Sequence, residues 1–272
     1  MKAVARALLA ALAIAAAGSI SAHAATLPPT HNVLVLGQPT QAARASIAAA
    51  GAFWLKVSRG QERLLFSYSS YKLANPCKAT NPLDAVVKGV SRGRIVLVVS
   101  SYPCLDRADF FTVTTTGVRL IIAAPAVLAN PYAGPQTAAH ELGHALGLAH
   151  SAYGSQNYGD SWSVMGGGLS SPPASMLAHL KWLEPRAATT GVYPLADLST
   201  GDALLVVQAG RRIWIERRSD GPGPGVMVHE DHGVQKGWAW SWLLTQLPLQ
   251  VGQTWTTDGL TILVGDTTVT IS

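Results

Sequence analysis

His140-Glu141-Leu142-Gly143-His144-Ala145-Leu146-Gly147-Leu148-Ala149-His150 decides how the rest of the chain is read. On a helix, His140 and His144 lie one turn apart on one face, so both imidazoles can reach a single ion. Glu141 points to a neighbouring angle, close enough to hold a water without being forced to act as a ligand. Gly147 can adopt a left-handed backbone at little steric cost, which ends the helix and swings the chain back. His150 then arrives from another direction and completes a three-nitrogen site. Three imidazoles with a fourth position left open suit a catalytic rather than a structural zinc. The alternative is a helix with unconnected histidines. A bare H-E-x-x-H would not exclude it, but the longer pattern with its third histidine weighs against it.

The chemistry this set suits best is hydrolysis of a peptide bond. Zinc held by neutral ligands keeps its full charge and lowers the pKa of water from about 16 toward about 7. Glu141 would accept the proton as water attacks a carbonyl carbon, then pass it to the leaving amine. The ion would also stabilise the developing oxyanion. Nothing in the set calls for a redox metal or a phosphate.

The pattern H-E-x-x-H-x-x-G-x-x-H, with Met165 following His150, resembles the metzincin clan of zinc peptidases. The resemblance implies an α+β catalytic domain, with a mixed sheet and helices, a zinc helix and a Met-turn. In that turn Met165 would pack beneath the metal without ligating it; read alone, Met165 is equally an ordinary core methionine. Within the clan, Tyr158-Gly159-Asp160 through Met165-Gly166 resembles the gametolysin family. Ala178-His179-Leu180-Lys181-Trp182-Leu183, Trp214-Ile215-Glu216-Arg217-Arg218 and Val226-Met227-Val228-His229 are also similar to it. The resemblance is specific from about Thr137 to Trp182. It implies one catalytic Zn2+ on His140, His144 and His150, with Glu141 as general base and a protein or peptide as substrate.

Two features depart from the pattern. No room exists for a long propeptide between Ala25 and the first expected strand. Gly167 stands two residues after Met165, where some metzincins carry a tyrosine that assists zinc. Tyr153 and Tyr158 are the available substitutes, or else structural loop aromatics.

The first residues read as an address. Lys2 and Arg6 form a positive n-region, Ala7 to Ala17 is apolar but too short to span a bilayer, and Ala22-His23-Ala24 suits a signal peptidase. The expectation is a signal peptide over 1–24 and an exported chain, secreted or periplasmic, with no stable membrane insertion after cleavage. Lys2 and Arg6 contribute two of the net +5 charges, and the remaining basic residues are scattered. That excludes a nucleic-acid footprint. Cys77 and Cys104 are the chain's two cysteines. In an oxidising compartment they are candidates for a disulfide worth about 2–4 kcal/mol. A thiolate that ligates zinc and keeps an enzyme latent is the other reading, although Asn75-Pro76-Cys77-Lys78 does not look like a latency motif.

Apolar periodicity predicts strands over Asn32–Leu36, Arg63–Tyr71, Arg94–Ser100 and Gly117–Ala123. It predicts helices over Gln41–Ser58 and Leu83–Val90. The zinc helix is expected from Gln136 or Thr137 to Gly147 after a loop over Ala129–Pro135, with a further helix over Ala174–Leu183. From about Thr189 the composition turns to Val, Thr, Trp and Gly. Ala209-Gly210 and Gly265-Asp266 mark two hairpins, the second read as a II′ turn. The expected organisation is a zinc peptidase domain over 25–187 followed by a small β-rich C-terminal region over 188–272.

Other residues carry open readings. His179, His229 and His232 fit no metal spacing and read as solvated or hydrogen-bonded histidines. Asp106 and Asp109 form no calcium loop. Trp238, Trp240 and Trp242 would share one face of a strand, buried as core or exposed as a polymer-binding stripe. Two functions therefore stand at this point. One is an exported zinc-dependent endopeptidase. The other is an exported, metal-retaining binding protein that contacts a polymer or protein through its β-rich region.

Overall fold

A computed structural model describes residues 30–70, 94–100, 108–113, 118–221 and 223–272. The leader expected over 1–24, the helix expected over Leu83–Val90, Asp106, and both Cys77 and Cys104 lie outside the described residues.

Ile95-Val96-Leu97-Val98-Val99 is the centre of the first sheet. An unbroken apolar run suits a strand covered on both faces, and all five residues are buried. The sheet has the order β2-β1-β3-β5-β4, with β1 at Thr30–Gly37, β2 at Arg63–Ser69, β3 at Ile95–Val99, β4 at Ala108–Val113 and β5 at Val118–Ala123. All neighbours pair in parallel except β4, which runs antiparallel to β5 at one edge. Ile95, Leu97 and Val99 point into the main core, while Val96 and Val98 join Leu36, Leu120 and Ile122 on the opposite face.

Helix α1 (Gln41–Val57) connects β1 to β2. Thr40 caps it, its Oγ1 accepting the Ala43 N–H at 3.2 Å. Ala43, Ile47, Ala50 and Trp54 recur at helical spacing and form its buried face. Helix α2 (Pro125–Ala129) leads into α3 (Ala133–Leu146), which carries the histidine motif. α3 starts before the expected Gln136 or Thr137, so much of the expected Ala129–Pro135 loop is helical. The Asn130 side chain accepts the N–H groups of Tyr132 and Ala133, and Pro135 sits in the first turn, where its missing N–H costs nothing.

The remainder forms two facing sheets. One has the order β6-β12-β11-β10-β9-β7, using Leu148–Tyr153 (β6), Arg186–Ala188 (β7), Leu204–Gln208 (β9), Arg211–Arg218 (β10), Gly225–Gln235 (β11) and Trp238–Leu243 (β12). The other, β13-β14-β15-β8, uses Gly191–Pro194 (β8), Thr254–Thr257 (β13), Leu260–Val264 (β14) and Thr268–Ile271 (β15). Val206, Ile213, Ile215 and Val228 meet Ile262, Val264, Val269 and Ile271 between them. Position 187/188, the expected domain division, falls inside β7. β6, far upstream of it, is the edge strand of a sheet otherwise built from later residues.

Two local expectations need correction. Helix α4 spans only Ala174–His179; Leu180 caps it, and Lys181 turns out of it at φ +63°. The turn between β14 and β15 is centred on Asp266-Thr267, with the Gly265 N–H donating to the Thr268 carbonyl at 2.9 Å. Gly265 is not among the glycines with positive φ, so it is not the first central residue of a II′ turn. Ala209 and Gly210, both at positive φ, do form the tight turn between β9 and β10. Among the described residues no helix is long and apolar enough to cross a membrane.

The main core is packed tightly around Gly143 of α3. A Cβ there would lie 2.3 Å from Met165 Sδ and 2.8 Å from Trp54 Cζ2. Both neighbours are fully buried, and Trp54 is pinned by its Nε1–H donating to the Ala139 carbonyl at 2.9 Å. Gly143→Ala is therefore expected to cost about 1–3 kcal/mol despite its better helix propensity. Urea unfolding of the metal-free protein checks this; an unchanged midpoint would mean the core has slack at this point.

Candidate metal centre

The centre is assembled at one chain reversal. Gly147 caps α3 at φ +103°, its N–H closing on the His144 carbonyl at 2.9 Å, and β6 starts at the next residue. His140 and His144 project from the helix, His150 from the strand. Their nitrogens all lie within 4.8 Å of one another, with His144 Nε2 and His150 Nε2 3.1 Å apart. Tetrahedral zinc with bonds of about 2.0–2.1 Å would hold two such nitrogens about 3.3 Å apart.

The outward nitrogens settle which atoms face the centre. His140 Nδ1 is 2.7 Å from the Val164 carbonyl, and His144 Nδ1 is 2.8 Å from that of Leu148. A carbonyl only accepts, so each Nδ1 carries a proton, and in the neutral ring Nε2 keeps its lone pair for a metal. Burial pushes all three rings toward the neutral form: His140 downward, His144 to about 3 and His150 to about 4. Positive charge on the neighbouring rings adds to the effect for His144 and His150. The donor set, its tautomers and its spacing thus fit a borderline-soft divalent ion such as zinc. Glu141, next to His140 on α3, is 8% exposed.

Met165 is fully buried against Gly143. Its carbonyl accepts the Ser151 N–H at 2.8 Å, which joins this loop to the strand bearing His150. Gln136 of α3 donates to the carbonyls of Gly167 and Gly168 at 3.1 and 2.8 Å. Of the two tyrosines considered as substitutes, Tyr158 lies against the site, its ring centroid 3.9 Å from that of His150. Tyr153 instead packs with the cluster of Trp162, Met227 and Leu243.

Behind the centre is a buried ionic chain in which sequence reading gave no residue a role. Asp160 accepts the Ser151 hydroxyl at 2.6 Å and the Trp162 and Ser163 N–H groups at 3.0 and 3.3 Å. His229 Nε2 stands 3.2 Å from Asp160, and its Nδ1 3.5 Å from Glu216. Glu216 pairs with Arg218 at 2.6 Å and accepts the Ala174 N–H at 2.5 Å. Burial alone would raise the Asp160 carboxyl. The hydrogen bond and charge of His229, the charge of Arg218 and the Ser151 hydroxyl together bring it below the usual carboxylate value. His229 is thus one of the hydrogen-bonded histidines expected from the sequence. His232 stacks on Trp242 at 4.5 Å, and His179 ends α4; none of the three joins the metal triad.

The tryptophan stripe is not core. Trp238 and Trp240 are half-buried and Trp242 is exposed, while the intervening Ala239 and Ser241 are buried. The stripe borders the centre, with Trp238 5.3 Å from the His144 ring and Trp240 6.2 Å from that of His150.

Residues 108–210 match a family model described as Gametolysin peptidase M11. Over that stretch the chain is similar to the gametolysin family. The matched stretch runs from β4 to β9 and contains the whole histidine triad. Comparison with curated proteins gives no match. The match supports a metallopeptidase with a peptide or protein substrate, and the triad is where a metal could sit.

Acid should unfold the metal-free protein through this site. The fold holds His144 and His150 neutral well below the ordinary histidine value of 6.5, whereas the unfolded chain takes up their protons below it. Stability is therefore expected to be level above pH 6.5 and to fall progressively from there toward pH 4. Denaturant midpoints measured with a chelator between pH 8 and pH 4 check this; a midpoint that rose on acidification would contradict the burial of the rings.

Proposed function

We propose that the chain is an exported zinc-dependent endopeptidase of the metzincin type. The observation that carries this reading is the convergence of three histidine nitrogens, two of them with their outward nitrogens already committed to backbone carbonyls. His140, His144 and His150 are the proposed ligands, and zinc held by them supplies Lewis acidity. Glu141 is the proposed general base, taking a proton from the attacking water and returning it to the leaving amine. Its place next to His140, on the helix that carries two of the proposed ligands, supports that role. Met165 is proposed as the Met-turn residue, a packed floor that does not ligate. Tyr158, whose ring lies against that of His150, is the proposed substitute for the tyrosine that Gly167 replaces. β4 is an edge strand packed beside α3, and such an edge can accept an extended peptide as an added strand.

The signal sequence over 1–24, the Cys77–Cys104 disulfide, and the assignment of 25–187 and 188–272 as peptidase domain and β-rich domain belong to the same proposal. The reading of a metal-retaining binding protein gains less support, because the aromatic stripe it relied on lies against the metal triad rather than apart from it.

Glu141→Gln should keep one zinc per chain and lower turnover of a casein or peptide-library substrate by about 10²–10⁴-fold. The unaltered protein should lose turnover to a chelator and recover it with added zinc. Full turnover by the Gln variant, or by metal-stripped protein, would remove the mechanism.

A further inference from the structure

β12 is distorted at one residue. Ala239 pairs with Leu148 and Ser241 with Ser151, so Trp240 alone stands opposite Ala149 and His150. On its other side Ser241 pairs with Asp231 and Ala239 with Val234, so the same Trp240 stands opposite His232 and Gly233. Two bulges therefore flank one tryptophan. A bulge adds a residue to one strand and re-aims its side chains. On β6 the re-aimed residue is His150, a member of the triad.

The register also says why the stripe stays open. Trp242 pairs with Glu230, and Glu230 with Ile213, so all three share one face of the sheet. At Ile213 the four-stranded sheet covers that face. At β12 the cover has ended, and Trp242 is 38% exposed. The uncovered part of a sandwich face is thus apolar, aromatic and continuous with the rings of His144 and His150.

We infer that Trp238, Trp240 and Trp242 form the wall that binds the substrate chain on one side of the scissile bond and selects apolar side chains there. The inference rests on the peptidase reading and deepens it. Alternate residues of a strand repeat every ~6.6–6.8 Å, so the three rings span about 13 Å. An extended peptide presents its alternate side chains at that same interval. Its scissile bond would sit at the triad, where the stripe begins, and its next side chains would lie along the indoles. Aromatic and large aliphatic side chains suit such faces. A carbohydrate would need spare polar groups beside the rings, and the nearest carboxylates are engaged. Glu230 is held in a two-point pair by Arg211 at 2.9 and 2.8 Å. Asp231 accepts the Gly233 N–H at 2.7 Å and pairs with Arg212 at 3.2 Å.

The test uses the full zinc-loaded chain and quenched-fluorescent decapeptides that differ only in carrying Phe or Ser at alternate positions on either side of the cleaved bond. Trp242→Ala, remote from the ligands, should lower kcat/KM for the Phe peptides about tenfold, mostly through KM, and change the Ser peptides less than about twofold. Trp240→Ala should do the same with one zinc per chain retained, and Trp240→Phe should restore most of the loss. An equal loss on all peptides, or none, would overturn the inference. Tryptophan fluorescence titration of the zinc-loaded Glu141→Gln protein separates the two proposals. Tighter binding of the Phe peptides there, without turnover by the unaltered protein, would uphold the wall and sink the peptidase reading. Turnover without a Phe preference would do the reverse, and quenching by soluble polysaccharide but not by the peptides would replace the proposed substrate with a glycan.

Discussion

Asp160, His229, Glu216 and Arg218 are all at most 1% exposed, so their polar groups must find partners among themselves and the surrounding backbone. Ions removed from water lose several kcal/mol apiece unless partners return it, and deleting one partner of such a set typically costs about 3–5 kcal/mol. What this chain gains is position rather than net stability. Asp160 grips Ser151, next to His150, and the backbone of the Met165 loop. Glu216 grips the first N–H of α4, and Arg218 the Ser171 carbonyl. Five separate stretches of chain meet at one set of charges. The strand carrying the third histidine is among them.

That arrangement explains which parts of the molecule were legible beforehand. The triad, α1, β3 and the β9–β10 hairpin each declare themselves within a dozen or so residues, through helical spacing, an apolar run or two turn residues with positive φ. The start of α3 was misjudged because the cap comes from Asn130, whose side chain reaches Tyr132 and Ala133 across a segment that contains a glycine and a proline. The length of α4 was overestimated for a related reason: Leu180 and Trp182 are apolar because the core covers them, whether or not the helix continues.

Asp160, Glu216, Arg218 and His229 all fall in stretches similar to the gametolysin family, but nothing local to any of them shows that they meet. Asp160 in a Gly- and Ser-rich loop reads as a turn residue, and its partner His229 lies 69 positions away on another strand. The same limit applies to the tryptophans. Their alternation showed that they share a face, but exposure depends on where the second sheet stops, which is a property of the whole sandwich. A stripe of indoles is core if β13 to β15 extend over it and a binding surface if they do not.

The C-terminal strands therefore cannot be treated as an accessory attached to a finished catalytic unit. α3 delivers two histidines by its own periodicity and packs on α1. His150 is different. Among the described residues its strand has one sheet neighbour, β12, and the pairing bulges at His150. The carboxylate behind it is satisfied by His229 of β11. A three-point metal centre has no tolerance for a ligand displaced by an ångström, since bonds of ~2.0–2.1 Å leave no slack. The geometry that makes the triad a candidate for catalysis thus includes contacts of residues past 200 with the strand and loop around residues 148–160.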